Sequence, residues 1–579
     1  HIIQQVDFIL NIACLDKEVV HEEFCQAKEF TIIIVENQEN EIISLLPNEI
    51  EIDNQEIFDF RKKYLPSDKV KYHLSINCDK KVLTKIRKQA SEIFQLFKMR
   101  DFARFDGWYF QDGRVIFSDL NVISGMEQNS FLFIQAAQMQ LTHSKILYLI
   151  IAHALQRYNI KLNSKKSFYT INKEKKVIRI LGGGDTSERQ VSWLSSTNVW
   201  LKLLHSQLYQ PELYLLENQH TIWQVPYHLA LNHTVEEVLS NCKKYNHQVL
   251  TSKDNNFFNP KKYTIKQFLQ NKKQVFLALH GGAGEDGTWQ RLLTKNNIQF
   301  NGSLAKKAKI FMSKIATKNF INACNINKLY CLDYILLIKN KFGELTKKEL
   351  INYWQQLTKQ LKSQKLVIKP ESDGCSTGVA LLANQNDLYL YQQYLQKNQI
   401  PANTLSYKHD IINLATNTTN FLIEAFVSTD QLEIKNHKLQ YHKITSYIEM
   451  TVTTIHINQQ QRIFNPSISI SNHQTLSLAE KFQGGTGINL TPPPLNLINK
   501  NNLQVIKDKL LQLVQALNIN SYARIDFFLN LMTLEIIIIE INSLPALTPS
   551  TVLFNQALAE KKSIYPITIL EFIAQAKDY

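Results

Sequence analysis

ARIDFFLNLMTLEIIIIEIN, residues 523–542, decides how the rest of the chain is read. Successive side chains of a strand point to opposite faces, so Arg524 and Asp526 share one face of the first apolar run, and Glu540 and Asn542 share one face of the second. The connection between the runs is short, which predicts a pair of neighbouring strands carrying two carboxylates, an amide and a guanidinium on one surface. Carboxylate and amide oxygens are the ligands a hard cation such as Mg²⁺ takes while keeping positions for phosphate. A solvated sheet face is the plain alternative, but acids set inside IIIIEIN fit that reading poorly.

The same pattern occurs earlier. ARFDGW at 103–108 matches ARIDFF at 523–528, and SDLNVISGM at 118–126 matches IEINSLPAL at 539–547. KEFTIII from Lys28 pairs with EMTVTTI from Glu449, and KKY at 62–64 pairs with EKF at 480–482. Each second member follows its first by about 420 residues, in the same order. A fixed-period match of this kind marks an internal repeat. Residues 1–165 therefore read as the C-terminal part of a unit that is whole only in 175–579, with the start of the first copy expected upstream of His1. The polar, charged stretch 166–176 reads as a linker.

Within the second copy, VIRILGGGDTSERQVS (177–192) predicts a buried strand, a glycine turn and a helix start, and QVFLALHGGAGEDG (274–287) repeats strand then turn. Such strands belong to an open α/β sheet, where ligands gather at the carboxyl ends. KLVIKP, NFLIEAFV and LEIIIIEIN predict strands of α+β character further on. Lys369 ends one of them and opens PESDGCSTGVA, whose glycines and successive N–H groups suit phosphate oxygens. Thr186, Ser187 and Glu188 would also serve as an ordinary helix cap, and His280 as a structural histidine.

Composition bounds the remaining classes. The 579 residues exceed one ordinary domain, and 20% charged with 44% apolar residues is typical of a globular protein. The net charge of +14 comes from lysines scattered singly and in pairs, without a basic stripe or motif, so no nucleic-acid partner is expected. Ile146–Leu155, the longest strongly apolar stretch, covers about half of the roughly 20 residues a membrane-spanning helix needs, so no membrane partner is expected. Seven cysteines without a CxxC pair suit reduced thiols rather than a disulfide framework or a zinc site.

Taken in order, GGDTSERQVS, HGGAGEDGTWQ, FMSK, VIKPESDGCSTGV, LIEAFV, EMTV, EKFQGG, ARIDFF and EINSLPALTPST resemble the D-alanine:D-alanine ligases of the ATP-grasp superfamily. The tandem layout, with KFQGGTGINLTPPP and SGMEQNSFLF, is similar to the fused double-ligase form of plants and green algae. The resemblance implies an ATP-grasp fold, α/β and α+β, with an N-terminal open α/β (Rossmann-like) subdomain at 177–305, a central subdomain at 306–425 and a C-terminal catalytic subdomain at 426–579. All of this is preceded by a partial second ATP-grasp domain at 1–165. The implied reaction is ATP-dependent joining of two D-alanines through an acyl phosphate, for peptidoglycan precursor synthesis. ATP with Mg²⁺ or Mn²⁺ would be required, and D-alanine and ATP would be the small-molecule partners. A homodimer is expected by analogy, in the cytoplasm or, for a plant or alga, the plastid stroma.

By the same resemblance Lys314 and Lys369 bind the ATP phosphates, Glu424, Phe426 and Val427 form the adenine-side hinge, Glu449 takes the ribose, and Lys481 joins the nucleotide set. Asp526, Glu540 and Asn542 would hold the metal. Glu188 would hold the first substrate's ammonium beside His280, Arg524 and the N–H of Ala546 would stabilise the oxyanion, and Thr551 and Val552 would receive the second carboxylate. Three positions depart from the family. Ala546 replaces a usual glycine, Cys375 a serine and Phe482 a lid tyrosine, and those two lost hydroxyls normally bond to each other towards Glu188. Phenylalanine at the lid accompanies use of D-lactate in related ligases, which makes a D-alanine:D-lactate ligase the alternative. The first copy keeps Glu29, Lys63, Tyr64, Arg104, Asp106, Asp119, Asn121, Gly125 and Ser130 but has no counterpart of the phosphate lysines or of Glu188. Another carboxylate-amine ligase, or a degenerate non-catalytic ATP-grasp protein, would be the remaining readings.

Overall fold

The computed structural model describes residues 25–52, 70–160, 174–246, 254–372, 377–397, 399–407, 409, 411–414, 418–435, 438–457, 460–470, 488–519 and 521–575. The chain forms two compact units, His1–Lys166 with Leu231–His233, and Ser167–Ala230 with Thr234–Tyr579.

In the first unit, KEFTIIIVE folds as strand β1 (Lys28–Glu36), whose interior residues are all buried. It lies between β3 (Asn48–Ile52) and β5 (Phe102–Tyr109); β2 (Ile42–Ser44) also pairs with it, while β4 (Val70–His73) extends the sheet beyond β3 and β6 (Val115–Asn121) beyond β5. Helix α1 (Lys80–Leu96) buries Ile86, Ala90 and Phe94, four residues apart and so on one face. They pack with Phe30, Ile32, Ile34 and Phe105. Asp79 caps the helix by accepting from the Lys81 N–H at 2.8 Å. Two further helices follow, α2 (Phe131–Gln138) and α3 (His143–Arg157). Gln135 of α2, fully buried, accepts from the Ile33 N–H at 2.8 Å and donates to the Thr31 carbonyl at 2.9 Å, which ties α2 to the backbone of β1.

The second unit opens with an α/β sheet. Strand β7 (Lys176–Gly183) runs parallel to both β8 (Tyr209–Leu216) and β11 (Gln274–Leu277), and β9 (Thr221–Gln224) and β10 (Lys261–Thr264) complete an antiparallel edge. The near-continuous apolar run of β7 follows from burial on both faces. Parallel neighbours need a crossover, and α4 (Arg189–Leu203) supplies it between β7 and β8.

After α5 (Lys314–Ala323) comes a four-stranded antiparallel sheet in the order β12 (Tyr334–Ile338), β15 (Asn420–Ala425), β13 (Leu366–Pro370), β14 (Ala380–Leu382). The last sheet centres on β16 (Tyr447–Ile457), β19 (Tyr522–Asn530) and β20 (Ile536–Asn542), with β17 (Ser467–Ile470) and β18 (Ile488–Leu490) beyond β16. Helix α6 (Lys500–Ala516) lays Ile506, Leu510, Leu513 and Val514 against this sheet, the i, i+4, i+7, i+8 spacing of one helix face. Burying each such side chain contributes about 1.5–3 kcal/mol. Asn499 caps α6 by accepting from the Asn502 N–H at 2.9 Å. The chain ends with α7 (Val552–Leu558) and α8 (Pro566–Gln575).

The strands expected from KLVIKP, NFLIEAFV and LEIIIIEIN are β13, β15 and β20. Among the described residues, no helix is long and apolar enough to cross a membrane; Ile146–Leu155 lies within α3.

Candidate active site

The register of β19 with β20 places Arg524 opposite Asn542 and Asp526 opposite Glu540, with a bulge immediately after Asp526. The four polar side chains therefore meet on one face. Arg524 donates from Nε to Asp526 Oδ1 at 3.0 Å and from Nη2 to Oδ2 at 2.9 Å, and Nη2 lies 3.7 Å from Glu540 Oε1. Asn542 Nδ2 donates to Glu540 Oε1 at 3.3 Å. Thr451, opposite Asp526 on β16, donates its hydroxyl to Asp526 Oδ1 at 2.6 Å. All four residues of the quartet are half-buried. Two carboxylates and an amide on one half-exposed face fit a divalent cation's preference for oxygen ligands and phosphate company.

The first unit repeats this face. Thr31 donates to Asp106 Oδ1 at 2.6 Å, Arg104 to Asp106 at 3.2 and 3.1 Å, and Asn121 to Asp119 Oδ2 at 3.0 Å. Its register is the same, Arg104 opposite Asn121 and Asp106 opposite Asp119, with the bulge again after the aspartate. Even the helix tie recurs, since Gln556 of α7 accepts from the Thr453 N–H at 2.8 Å and donates to the Thr451 carbonyl at 3.0 Å. Glu29 lies on β1, opposite Trp108. Gly125 and Ser130 occupy the loop between β6 and α2, Ser130 at the N-cap of α2. Lys63 and Tyr64 lie outside the described residues.

A second cluster lies at β13, β15 and α5. Lys369 Nζ is 2.7 Å from Glu424 Oε2, and Lys318 Nζ is 2.9 Å from Oε1. All three side chains are buried. Burial alone would push the Glu424 carboxyl up, but the two ammonium groups outweigh it and hold it below the usual carboxylate range. Burial lowers the Lys318 ammonium, and Glu424 only partly offsets that. Lys318 Nζ also donates to the Leu332 carbonyl at 3.3 Å, which anchors the ammonium beside Oε1. Lys314 stands at the first turn of α5, where its N–H donates to the Glu371 carbonyl at 3.1 Å, which fastens α5 to the chain just past Lys369. Two buried cations with one anion between them leave a net positive charge that fits a polyanionic nucleotide. Phe426 and Val427 follow β15 half-buried, and Glu449 is half-buried on β16.

The third group surrounds α4. Glu188 is its N-cap residue. A Cβ at Gly281 would come within 2.5 Å of Glu188 Oε2, and Gly281 has φ +68°, so only glycine lets the HGGAGEDG turn approach this carboxylate. His280 is buried, with Nε2 3.0 Å from Ser195 Oγ and Nδ1 3.6 Å from Glu285 Oε1. Thr186 donates to the His280 carbonyl at 2.9 Å. Ala546 and Thr551 belong to the loop after β20, where the Thr551 hydroxyl donates to the Ala546 carbonyl at 2.8 Å, and Val552 begins α7. Cys375, Lys481 and Phe482 lie outside the described residues.

Sequence reasoning passed over Lys318, Thr451, Ser195 and Gln556. Lys318 follows Lys314 by one helical turn, and Thr451 and Gln556 both recur in the repeat, as Thr31 and Gln135. Those were the available signals. Ser195 carried none.

Comparison with known proteins gives a family model, described as D-ala D-ala ligase C-terminus, that matches residues 3–152 and again 402–573, and a second, D-ala D-ala ligase N-terminus, that matches 177–303. A D-alanine–D-alanine ligase of Treponema denticola is 25% identical over 276 residues, 47% of this chain and 62% of the relative's length. One of Pediococcus pentosaceus is 25% identical over 391 residues, 66% of this chain and 92% of the relative. Among solved structures, the D-alanine-D-alanine ligase of Coxiella burnetii has a TM-score of 0.47 at 14% identity, over 70% of this chain and 95% of that one. The two matches of the C-terminal model fall on the two copies of the Arg–Asp strand pair and together span more than half of the chain, which belongs to the D-alanine–D-alanine ligase family.

Proposed function

We propose that the chain joins two D-alanine molecules into D-alanyl-D-alanine, with release of ADP and phosphate, at one site built from residues between about 175 and the C-terminus. The observation that carries this reading is the shared face of Arg524, Asp526, Glu540 and Asn542, in a unit that also holds Lys369 and Lys318 around Glu424. In the proposed reaction a carboxylate oxygen of the first D-alanine attacks the γ-phosphorus of ATP, ADP leaves, and the amine of the second D-alanine attacks the acyl phosphate carbon. The tetrahedral intermediate then collapses with loss of phosphate and a proton.

Lys314, Lys318 and Lys369 would neutralise the ATP phosphates, while Glu424, Phe426, Val427, Glu449 and Lys481 would receive the base and ribose. Asp526, Glu540 and Asn542 would hold Mg²⁺, which supplies charge neutralisation for in-line phosphoryl transfer. Glu188 would pair with the first substrate's ammonium, close to His280. Arg524 and the Ala546 N–H would stabilise the oxyanion, where one lost donor costs about 2.7–4 kcal/mol. Thr551 and the start of α7 would take the second carboxylate. Cys375 and Phe482 bear on the choice of second substrate. The two repeats support a tandem double-ligase form. Peptidoglycan precursor synthesis, as a soluble enzyme of cytoplasm or plastid stroma, would be the setting.

Phe482 keeps D-lactate in play, because phenylalanine cannot make the lid hydrogen bond that a tyrosine would. Incubation with ATP, Mg²⁺ and equimolar D-alanine and D-lactate, followed by mass spectrometry, tests the choice. D-alanyl-D-alanine is the expected main product. A predominant D-alanyl-D-lactate would move the assignment to a depsipeptide ligase, and neither product would end the ligase reading.

A further inference from the structure

We propose that Ser195 and Asn198 of α4 are positioning residues that hold the Leu547 N–H and the Leu547 carbonyl, one on each side of Leu547, and so fix the Ala546–Leu547 peptide and the oxyanion donor next to it. The proposal rests on the ligase reading above. Ser195 and Asn198 are three residues apart on α4, hence on one helix face, and both are essentially fully buried. The Leu547 N–H donates to Ser195 Oγ at 3.1 Å, and Asn198 Nδ2 donates to the Leu547 carbonyl at 2.7 Å. The carbonyl of Ala546 is held from the other side by the Thr551 hydroxyl. Both polar ends of the peptide unit joining Ala546 to Leu547 are therefore pinned, and the Ala546 N–H is separated from that plane by only two soft torsions.

The same helix carries Glu188 at its N-terminus, two turns before Ser195. One rigid element thus places both the carboxylate for the first substrate's ammonium and the loop that receives the developing negative charge. Ser195 also joins this loop to His280, since a hydroxyl that accepts from Leu547 still has its own proton to offer Nε2 3.0 Å away. Asn198 is oriented in turn by Lys202, whose Nζ donates to Oδ1 at 2.5 Å, so that the amide nitrogen faces Leu547.

The first repeat supplies an internal comparison. Leu544 and Leu547 are each 1% exposed, whereas their counterparts Ile123 and Met126 are 76% and 47% exposed. The strand pair before this loop and the helix tie after it are alike in both copies.

Replacement of Ser195 by alanine, or Asn198 by aspartate, which keeps the shape but cannot donate to the Leu547 carbonyl, is the test on the full chain. Misplaced catalytic geometry can cost roughly 10²-fold. We expect kcat to fall by roughly 10- to 100-fold in each variant, with KM for ATP and for the first D-alanine unchanged. Affinity for a phosphinate analogue of D-alanyl-D-alanine, whose tetrahedral phosphorus carries the oxyanion, should fall by the same factor as kcat. Exchange of the Leu547 amide with deuterium should accelerate in S195A. Unchanged kcat and analogue affinity in both variants, in an active parent, would overturn the proposal, as would a loss spread equally over every KM together with a fall in melting temperature. A parent protein that makes no dimer would count against the ligase reading instead, and unaltered Leu547 exchange in S195A would still refute the clamp.

Discussion

Glu540→Gln is expected to lower the rate of D-alanyl-D-alanine formation by roughly 10³-fold, while the equivalent change in the first repeat, Asp119→Asn, leaves it unaltered. A bound divalent cation supplies several kcal/mol of charge stabilisation in the phosphoryl-transfer transition state, and each 1.36 kcal/mol is a factor of ten in rate. The amide keeps the shape of Glu540 and one acceptor oxygen but removes the charge that faces Asp526 across the strand pair. The contrast arises because, among the described residues, it is the second unit that combines such a face with buried lysines, Lys318 and Lys369. Steady-state kinetics at saturating ATP over a range of Mg²⁺ would check it. A Glu540→Gln enzyme within tenfold of the parent would remove the quartet from the reaction, and a slow Asp119→Asn enzyme would show that the first repeat takes part.

Glu424→Ala is expected to destabilise the protein by about 3–5 kcal/mol, because breaking a buried ion pair strands the charges left behind. Here one carboxylate serves two ammonium groups, so Lys318 and Lys369 would both lose their neutralising partner. The pH dependence has a definite sign. The Glu424 carboxyl is held below its ordinary value, so its contribution is fully present above the unfolded carboxylate range and is lost as pH falls through the folded value. Lys318, lowered by burial, acts oppositely: it opposes folding while protonated, and that cost is relieved only as pH rises through its folded value. Acid should therefore destabilise the parent more than the variant. Urea denaturation of both proteins from neutral pH down through and below the ordinary carboxylate range reads this difference. A loss under about 1 kcal/mol, the size of a surface pair, or equal acid sensitivity in the two proteins, would contradict the buried-cluster account.

The open α/β sheet and the repeated strand pair were legible because burial writes itself into sequence. The run around Ile178–Leu181 has no polar face to offer solvent except Arg179, and the alternation of Arg524 and Asp526 with Ile525 and Phe527 keeps a period of two. The repeat carried most of the remaining information, since Thr31 and Thr451, or Gln135 and Gln556, recur at matching positions and make the same bonds. What stayed hidden depends on long-range approach. Lys318 reads as a lysine on an amphipathic helix until β15 brings Glu424 against it, more than 100 residues later. Ser195 and Asn198 read as small polar residues on a helix until a loop about 350 residues away lies on them. The resemblance presents Glu424 as part of a nucleotide hinge, whereas its geometry adds the role of counter-charge to both lysines.

The most direct measurement follows an oxygen atom. With D-alanine labelled by ¹⁸O in its carboxylate, formation of an acyl phosphate places a substrate oxygen between carbon and phosphorus, and attack by the second amine expels it with the phosphate. The account predicts phosphate carrying one ¹⁸O, formed in equal amount with ADP and D-alanyl-D-alanine. Unlabelled phosphate, or AMP in place of ADP, would contradict it.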